Sequence, residues 1–201
     1  MTFFLQAFVT LFVIIDPPGI VPLFLGLTRG RSVRTRRRLA WQAAVVAFSV
    51  IVAFALFGRV ILNYTQVQIA ALEGAGGLLL LLVSLQLLTG KTEEPTSSER
   101  AKTNVAFVPL GTPLLAGPGA IVATMVFVQR ANGSLPDVVA ISVGIIAIHL
   151  VMWLTLRFSG IIMRILGENG VLLVTRIAGL LLSAIAVQLV ADAVTDFIKA
   201  G

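Results

Sequence analysis

From Phe3 to Leu27 the chain is apolar almost without interruption, and five more segments of similar length follow. About 20 consecutive apolar residues are what a helix needs to cross the hydrocarbon core of a bilayer. Segments at 2–27, 39–58, 68–89, 104–129, 137–157 and 171–195 meet that length. Of the 201 residues, 58% are hydrophobic and only 12% are charged. A soluble domain carries about twice that charge. The expected fold class is therefore an all-α membrane protein with six transmembrane helices, forming a single membrane domain over 1–201. The first segment has no basic residue before it and no small-residue cleavage motif after it, so it reads as a span and not as a signal peptide.

The net charge of +6 is gathered between the spans. Arg29, Arg31, Arg34, Arg36, Arg37 and Arg38 fall in the first connection, Lys91, Arg100 and Lys102 in the third, and Arg157 and Arg164 in the fifth. Arg59, Arg130 and Lys199 fall on the opposite side. Basic residues mark the cytoplasmic face, so the odd connections are expected inside and both termini outside. The expected location is a cell (plasma) membrane, and the resemblance described below implies a bacterial one. The Arg-rich 29–38 stretch reads as an anchor on anionic lipid headgroups, with no nucleic acid as partner. The chain has no Cys and one His, so neither disulfides nor a metal site is expected.

The two halves repeat. Pro18-Gly19 returns as Pro118-Gly119, 100 residues on. Gly77-Leu78-Leu79-Leu80 with Gln86-Leu87 returns as Gly179-Leu180-Leu181-Leu182 with Gln188-Leu189, 102 residues on. The boundaries are repeat one at 1–89, a cytoplasmic linker at 90–103 and repeat two at 104–201. Three spans per half make the second half run through the membrane in the opposite sense, as in many secondary transporters.

Asp16-Pro17-Pro18-Gly19 lies about fourteen residues into its span, which at 1.5 Å per residue is near mid-membrane. Proline lacks the N–H and clashes with the preceding turn, so the helix breaks there. The fourth span, Val108 to Gly119, is expected to break at Gly117-Pro118-Gly119. Two inner half-helices then start near the midplane, with Asp16 and Pro17 as the first cap and first helical residue. Their N-termini suit a carboxylate and the facing carbonyl ends suit an ammonium or Na⁺. Asp16, Pro17, Pro18, Gly19, Thr112, Gly117, Pro118 and Gly119 are the candidate substrate-binding residues. Asp16 has two readings that can coexist: a cap satisfying donors of residues 18 and 19, or a group binding the solute or a coupling proton or Na⁺. Its repeat counterpart is Ala116.

Ile20, Gln86, Thr124, His149 and Gln188 are candidates for lining the cavity. His149 reads either as a neutral imidazole bonded between helices or as a proton relay. Gln86 and Gln188 read either as interhelical hydrogen-bonding groups or as cavity walls. Glu73 and Arg176 are expected to snorkel to opposite interfaces. Gly-x-Ser-x-Gly, His-Glu-x-x-His and a second midplane acid are all missing from the sequence, so no enzyme and no catalytic residue is expected.

Asp16-Pro17-Pro18-Gly19-Ile20-Val21-Pro22, the Val108–Gly119 run and Arg176-Ile177-Ala178-Gly179-Leu180 together resemble the MarC family of six-span membrane proteins, over essentially the whole chain. The family pattern has Asn where this chain has Ile20. The resemblance implies inverted repeats with broken first and fourth helices, and transport of small neutral amino acids. The expected function is thus a secondary transporter of a small neutral solute with no cofactor beyond a coupling H⁺ or Na⁺. A channel or scaffold without coupled transport is the alternative, and the oligomeric state is open.

Overall fold

The structure is a computed structural model that describes residues 3–28, 30–89 and 116–200. Among the described residues the chain is wholly helical: α1 Phe3–Ile15, α2 Pro17–Leu27, α3 Val33–Thr65, α4 Ile69–Thr89, α5 Pro118–Arg130, α6 Leu135–Arg157 and α7 Ser159–Ala200. Five stretches are long and apolar enough to cross a membrane: Phe3–Leu27, Val33–Thr65, Ile69–Thr89, Leu135–Arg157 and Ser159–Lys199. Gly119–Arg130 is a shorter apolar helix. The 90–103 linker, the first half of the fourth span and Thr112 lie outside the described residues.

Three connections between the expected spans are largely helical. Arg34 to Arg38 belong to the first turns of α3, because Ser32 caps that helix by accepting the Thr35 N–H at 3.2 Å. At its far end α3 continues through Gly58 to Thr65 and stops where Gln66 turns left-handed, φ 56°. Its 33 residues span about 50 Å, longer than the ~30 Å hydrocarbon core, so both ends project from it. The fifth connection is also helical. α7 starts at Ser159 and is interrupted only at Gly167, whose φ of 65° a side chain would oppose. The composition of that stretch is apolar enough to lie along an interface, and Ile161 and Ile165 are exposed.

Packing divides the molecule in two. A large apolar cluster joins α1, α2, α3, α5 and α6 around Leu11, Phe24, Ile51, Ile148 and Met152. Ala40, Ala43, Ala44 and Ala47 keep α3 narrow where it enters this cluster. A smaller cluster holds α4 and α7 together through Leu80, Leu182, Ala186 and Leu189, with Val13 of α1 reaching into it. The outward faces of α4 and α7 expose Leu78, Leu82, Leu85, Leu180, Leu181 and Val187.

α4 and α7 cross through two glycines. A Cβ on Gly77 would stand 2.8 Å from the Ala186 carbonyl oxygen, and one on Gly179 would stand 3.3 Å from the Ser84 carbonyl oxygen. As the position rises along α4 it falls along α7, so the two helices are antiparallel. The 102-residue offset carries Gly77 onto Gly179 and Ser84 onto Ala186, so the two contacts are one contact seen from each side.

Candidate functional site

The first span is interrupted at a single residue. Asp16 has φ 44° and ψ 65°, in the left-handed region that L side chains rarely occupy. Its N–H closes α1 on the Phe12 carbonyl at 3.0 Å, and its own carbonyl accepts from Ile20 at 3.3 Å. Pro17 and Pro18 have no N–H, so the Val13 and Ile14 carbonyls have no donor four residues on. The interruption therefore concentrates acceptors.

Asp16 is 4% exposed, and its side chain makes no capping hydrogen bond to α2. The expected cap through residues 18 and 19 does not form. Pro18 has no N–H, which leaves only Gly19. The Asp16 carboxylate faces the Gly19 N–H and the Thr175 hydroxyl of α7. Neither Asp16 Oδ2 nor Thr175 Oγ1, both buried, has a partner of hydrogen-bonding geometry. Gly19 has to be glycine, because a Cβ would overlap the Asp16 carboxylate and come within 2.7 Å of Thr175 Oγ1.

α5 starts beside this point. Gly117 is extended at φ −60°, ψ 160°, and its carbonyl accepts from Ala120 at 3.0 Å and Ile121 at 3.1 Å. Gly119 lies against Leu80 of α4 and within 3.6 Å of Ile14 Cγ2, measured from the Cβ it lacks. The first turn of α5 is thus next to the residue two before Asp16. With prolines at 17, 18 and 118, the first backbone donors of the two inner helices are those of Gly19 and Gly119.

The structure relocates several other candidates. Ile20 is buried in the large apolar cluster and contributes packing, not a wall of the site. Gln86 and Gln188 are exposed, and Gln188 donates to Asp192 Oδ1 of its own helix at 2.7 Å. They neither bond between helices nor line an interior. Thr124 is fully buried on α5, and its hydroxyl has no partner. His149 packs edge-on against Phe48 at 5.3 Å between α6 and α3. Its Nδ1 bonds the Ile145 carbonyl of its own helix at 2.8 Å, while Nε2 faces the Ala47 carbonyl of α3 without meeting it in hydrogen-bonding geometry.

A match to the family model described as "MarC family integral membrane protein" covers residues 1–198. The chain belongs to the MarC family. It is 34% identical to a UPF0056 membrane protein of Methanocaldococcus jannaschii over 96% of this chain and 97% of that one. It is also 34% identical to a UPF0056 membrane protein of Archaeoglobus fulgidus over 98% and 94% of the two chains. To the UPF0056 inner membrane protein MarC of Salmonella typhimurium it is 30% identical, over 95% and 93%. No solved structure matches it. As a MarC family member the chain is an integral membrane protein.

Sequence reasoning missed two features of this MarC chain. Thr175 was legible through the repeat, since the offset that pairs Gly77 with Gly179 pairs Glu73 with Thr175. The second is a polar cavity of about 440 Å³ lined by Ile69, Glu73, Gln129, Arg130, Asp192, Thr195, Asp196 and Lys199. Glu73 does not snorkel. It is 3% exposed and binds Arg130 of α5 at 3.0 Å, and the same guanidinium reaches Asp192 of α7 at 3.3 Å. Arg176 is exposed, as a snorkelling residue would be.

Proposed function

We propose that this protein is a secondary transporter of small neutral solutes, amino acids in particular, working by alternating access. One observation carries the reading: a buried carboxylate with one oxygen lacking a partner sits at a helix interruption, and the first turn of a second helix starts beside it. In hydrocarbon, an irregular backbone is tolerated only where it is buried in protein or lines a water-filled cavity, and an intramembrane carboxylate ordinarily marks a solute or ion path. The first donor of α5, at Gly119, would hold the solute carboxylate, with Asp16, Pro17, Pro18, Gly19, Gly117 and Pro118 shaping the site. Thr112 would complete it from the fourth span. A break of that span near the midplane, mirroring the first, belongs to this reading.

The antiparallel crossing of α4 and α7 through repeat-related glycines supports two halves of inverted topology. The two apolar clusters support a particular line of motion. Both halves contribute to each cluster, which favours motion between the clusters over a rocking of one three-helix half against the other. The moving boundary is instead between the α4–α7 pair and the group formed by α1, α2, α3, α5 and α6. The Asp16–Thr175 contact lies on that boundary. In the plasma membrane both termini would face outward, with the Arg-rich start of α3 on anionic headgroups inside.

The test is uptake and counterflow of labelled Gly, Ala, Ser and Thr in proteoliposomes. The expected result is slow, saturable flux of at least one of them, with accelerated exchange when the same solute is trapped inside. Non-saturable conduction would favour a channel, and no flux by folded protein would overturn the proposal.

A further inference from the structure

The Asp16 break gathers more acceptors than donors. Asp16 contributes an unpartnered carboxylate oxygen, and Thr175 an unpartnered hydroxyl oxygen. The two prolines strip the Val13 and Ile14 carbonyls of their usual donors. Val13 and Asp16 are buried, at 5% and 4% exposure, while Ile14 and Thr175 are half-buried, with the Thr175 hydroxyl oxygen itself out of contact with solvent. Buried acceptors are ordinarily satisfied, and a buried charge is ordinarily paired. A proton on Asp16, the Thr175 hydroxyl and the Gly19 N–H can answer one oxygen each around the carboxylate, but none of them is the donor that the Val13 and Ile14 carbonyls lost. A metal cation can take several of them at once.

The other buried acid of the molecule is answered differently. Glu73 sits at the α4 position that matches Thr175 on α7, and its carboxylate is answered by a guanidinium, Arg130, at 3.0 Å. One interface between the α4–α7 pair and its neighbours therefore carries its own cation. The interface holding Asp16 has no basic side chain bonded to it among the described residues.

We infer that Asp16, Thr175 and the freed carbonyls of Val13 and Ile14 form a Na⁺ site. A single carboxylate with neutral oxygens suits a monovalent ion, whereas Ca²⁺ and Mg²⁺ sites draw on more oxygen ligands or on several carboxylates and waters. Unwound backbone carbonyls at a half-helix end are the ligands that a broken membrane helix can offer such an ion. The site joins α1 to α7 across the boundary along which the proposed transport motion occurs. Bound Na⁺ would hold the two sides together, and its release would free them. The inference rests on the transport reading for its purpose, but not for its chemistry.

The experiment is thermal unfolding of the purified full-length chain in detergent, without amino acid, followed by Trp41 and Trp153 fluorescence. NaCl, KCl and choline chloride are compared at equal ionic strength. At Na⁺ ten times its dissociation constant the wild-type Tm is expected to rise by about 3–6 °C over choline, while K⁺ matches choline. Asp16→Asn should abolish the Na⁺ response. Thr175→Val should shift half-saturation to about ten-fold higher Na⁺, and it preserves the test if Asp16→Asn does not fold. Glu73→Gln should keep the full response. Equal wild-type Tm in the three salts, a response to pH alone, or a Na⁺ response surviving Asp16→Asn would each overturn the site. A Na⁺ response without solute flux would keep the site and remove the transport reading; solute flux without a Na⁺ response would do the reverse.

Discussion

Asp16 and Glu73 are the two buried acids among the described residues, at 4% and 3% exposure, and they are buried in opposite ways. Glu73 has a cation built into the fold, and Arg130 ties it to α5 and, through Asp192, to α7. Asp16 has a hydroxyl and a glycine N–H in front of it and no bonded cation. Under the 102-residue offset the Glu73 position becomes Thr175, and under the 100-residue offset the Asp16 position becomes Ala116. The difference teaches that burial of a charge does not by itself distinguish a strut from a site. What distinguishes them is whether the fold supplies the counter-charge.

The comparison breaks most easily at Arg130. Arg130→Met leaves the Glu73 carboxylate buried without its cation, and is expected to destabilise by about 2–4 kcal/mol. That is less than the 3–5 kcal/mol of a fully buried pair, because the Arg130 side chain is 43% exposed. The double variant Arg130→Met with Glu73→Leu should recover most of the loss, since an apolar pair of similar size removes the stranded charge. Denaturant unfolding in detergent reads both. A loss below ~0.5 kcal/mol for Arg130→Met would mean that Glu73 is not a strut, and the contrast with Asp16 would fail.

The next test concerns the scaffold that makes the two interfaces comparable. Gly77→Ala and Gly179→Ala should both destabilise, by about 1–3 kcal/mol, with Gly77→Ala the worse. Its new methyl would meet a backbone oxygen at 2.8 Å, which cannot swing away, whereas the closest atom to Gly179 is the Leu87 Cβ at 3.0 Å. Melting of the two variants side by side decides the order. If only one were damaging, the reciprocal crossing of α4 and α7 would not be the joint that holds the pair.

Much of the helical layout could be read from apolar run length, because the bilayer sets that length before any packing is considered. Residues at 68–89 and 137–157 were expected as spans, and Ile69–Thr89 and Leu135–Arg157 are helices. Helix ends were less legible. Arg34 to Arg38 look like a loop by charge, but arginine is a good helix former and Ser32 supplies the cap. Asp16 stood out because proline chemistry is local. Thr175 did not, because its relevance comes from a contact across 159 positions of sequence. Glu73 was misread for a related reason: its partner is 57 positions away, and pairing can bury a charge that hydropathy alone would send to the interface.

The smallest expected change in stability is the most informative about Asp16. Asparagine has nearly the size of aspartate and tolerates left-handed backbone well, so Asp16→Asn keeps the φ of 44° without new strain. The side chain makes no capping bond that the substitution could remove. In Na⁺-free buffer Asp16→Asn should therefore unfold within about 1 kcal/mol of the wild type, while Arg130→Met does not. Saturable flux of the preferred amino acid should nevertheless fall at least ten-fold, because the carboxylate at the boundary with α7 is gone. A large stability loss with flux surviving in the folded fraction would put Asp16 in the same class as Glu73, an internal tie of the fold, and the site would have to be sought along α5 from Gly119 to Thr124.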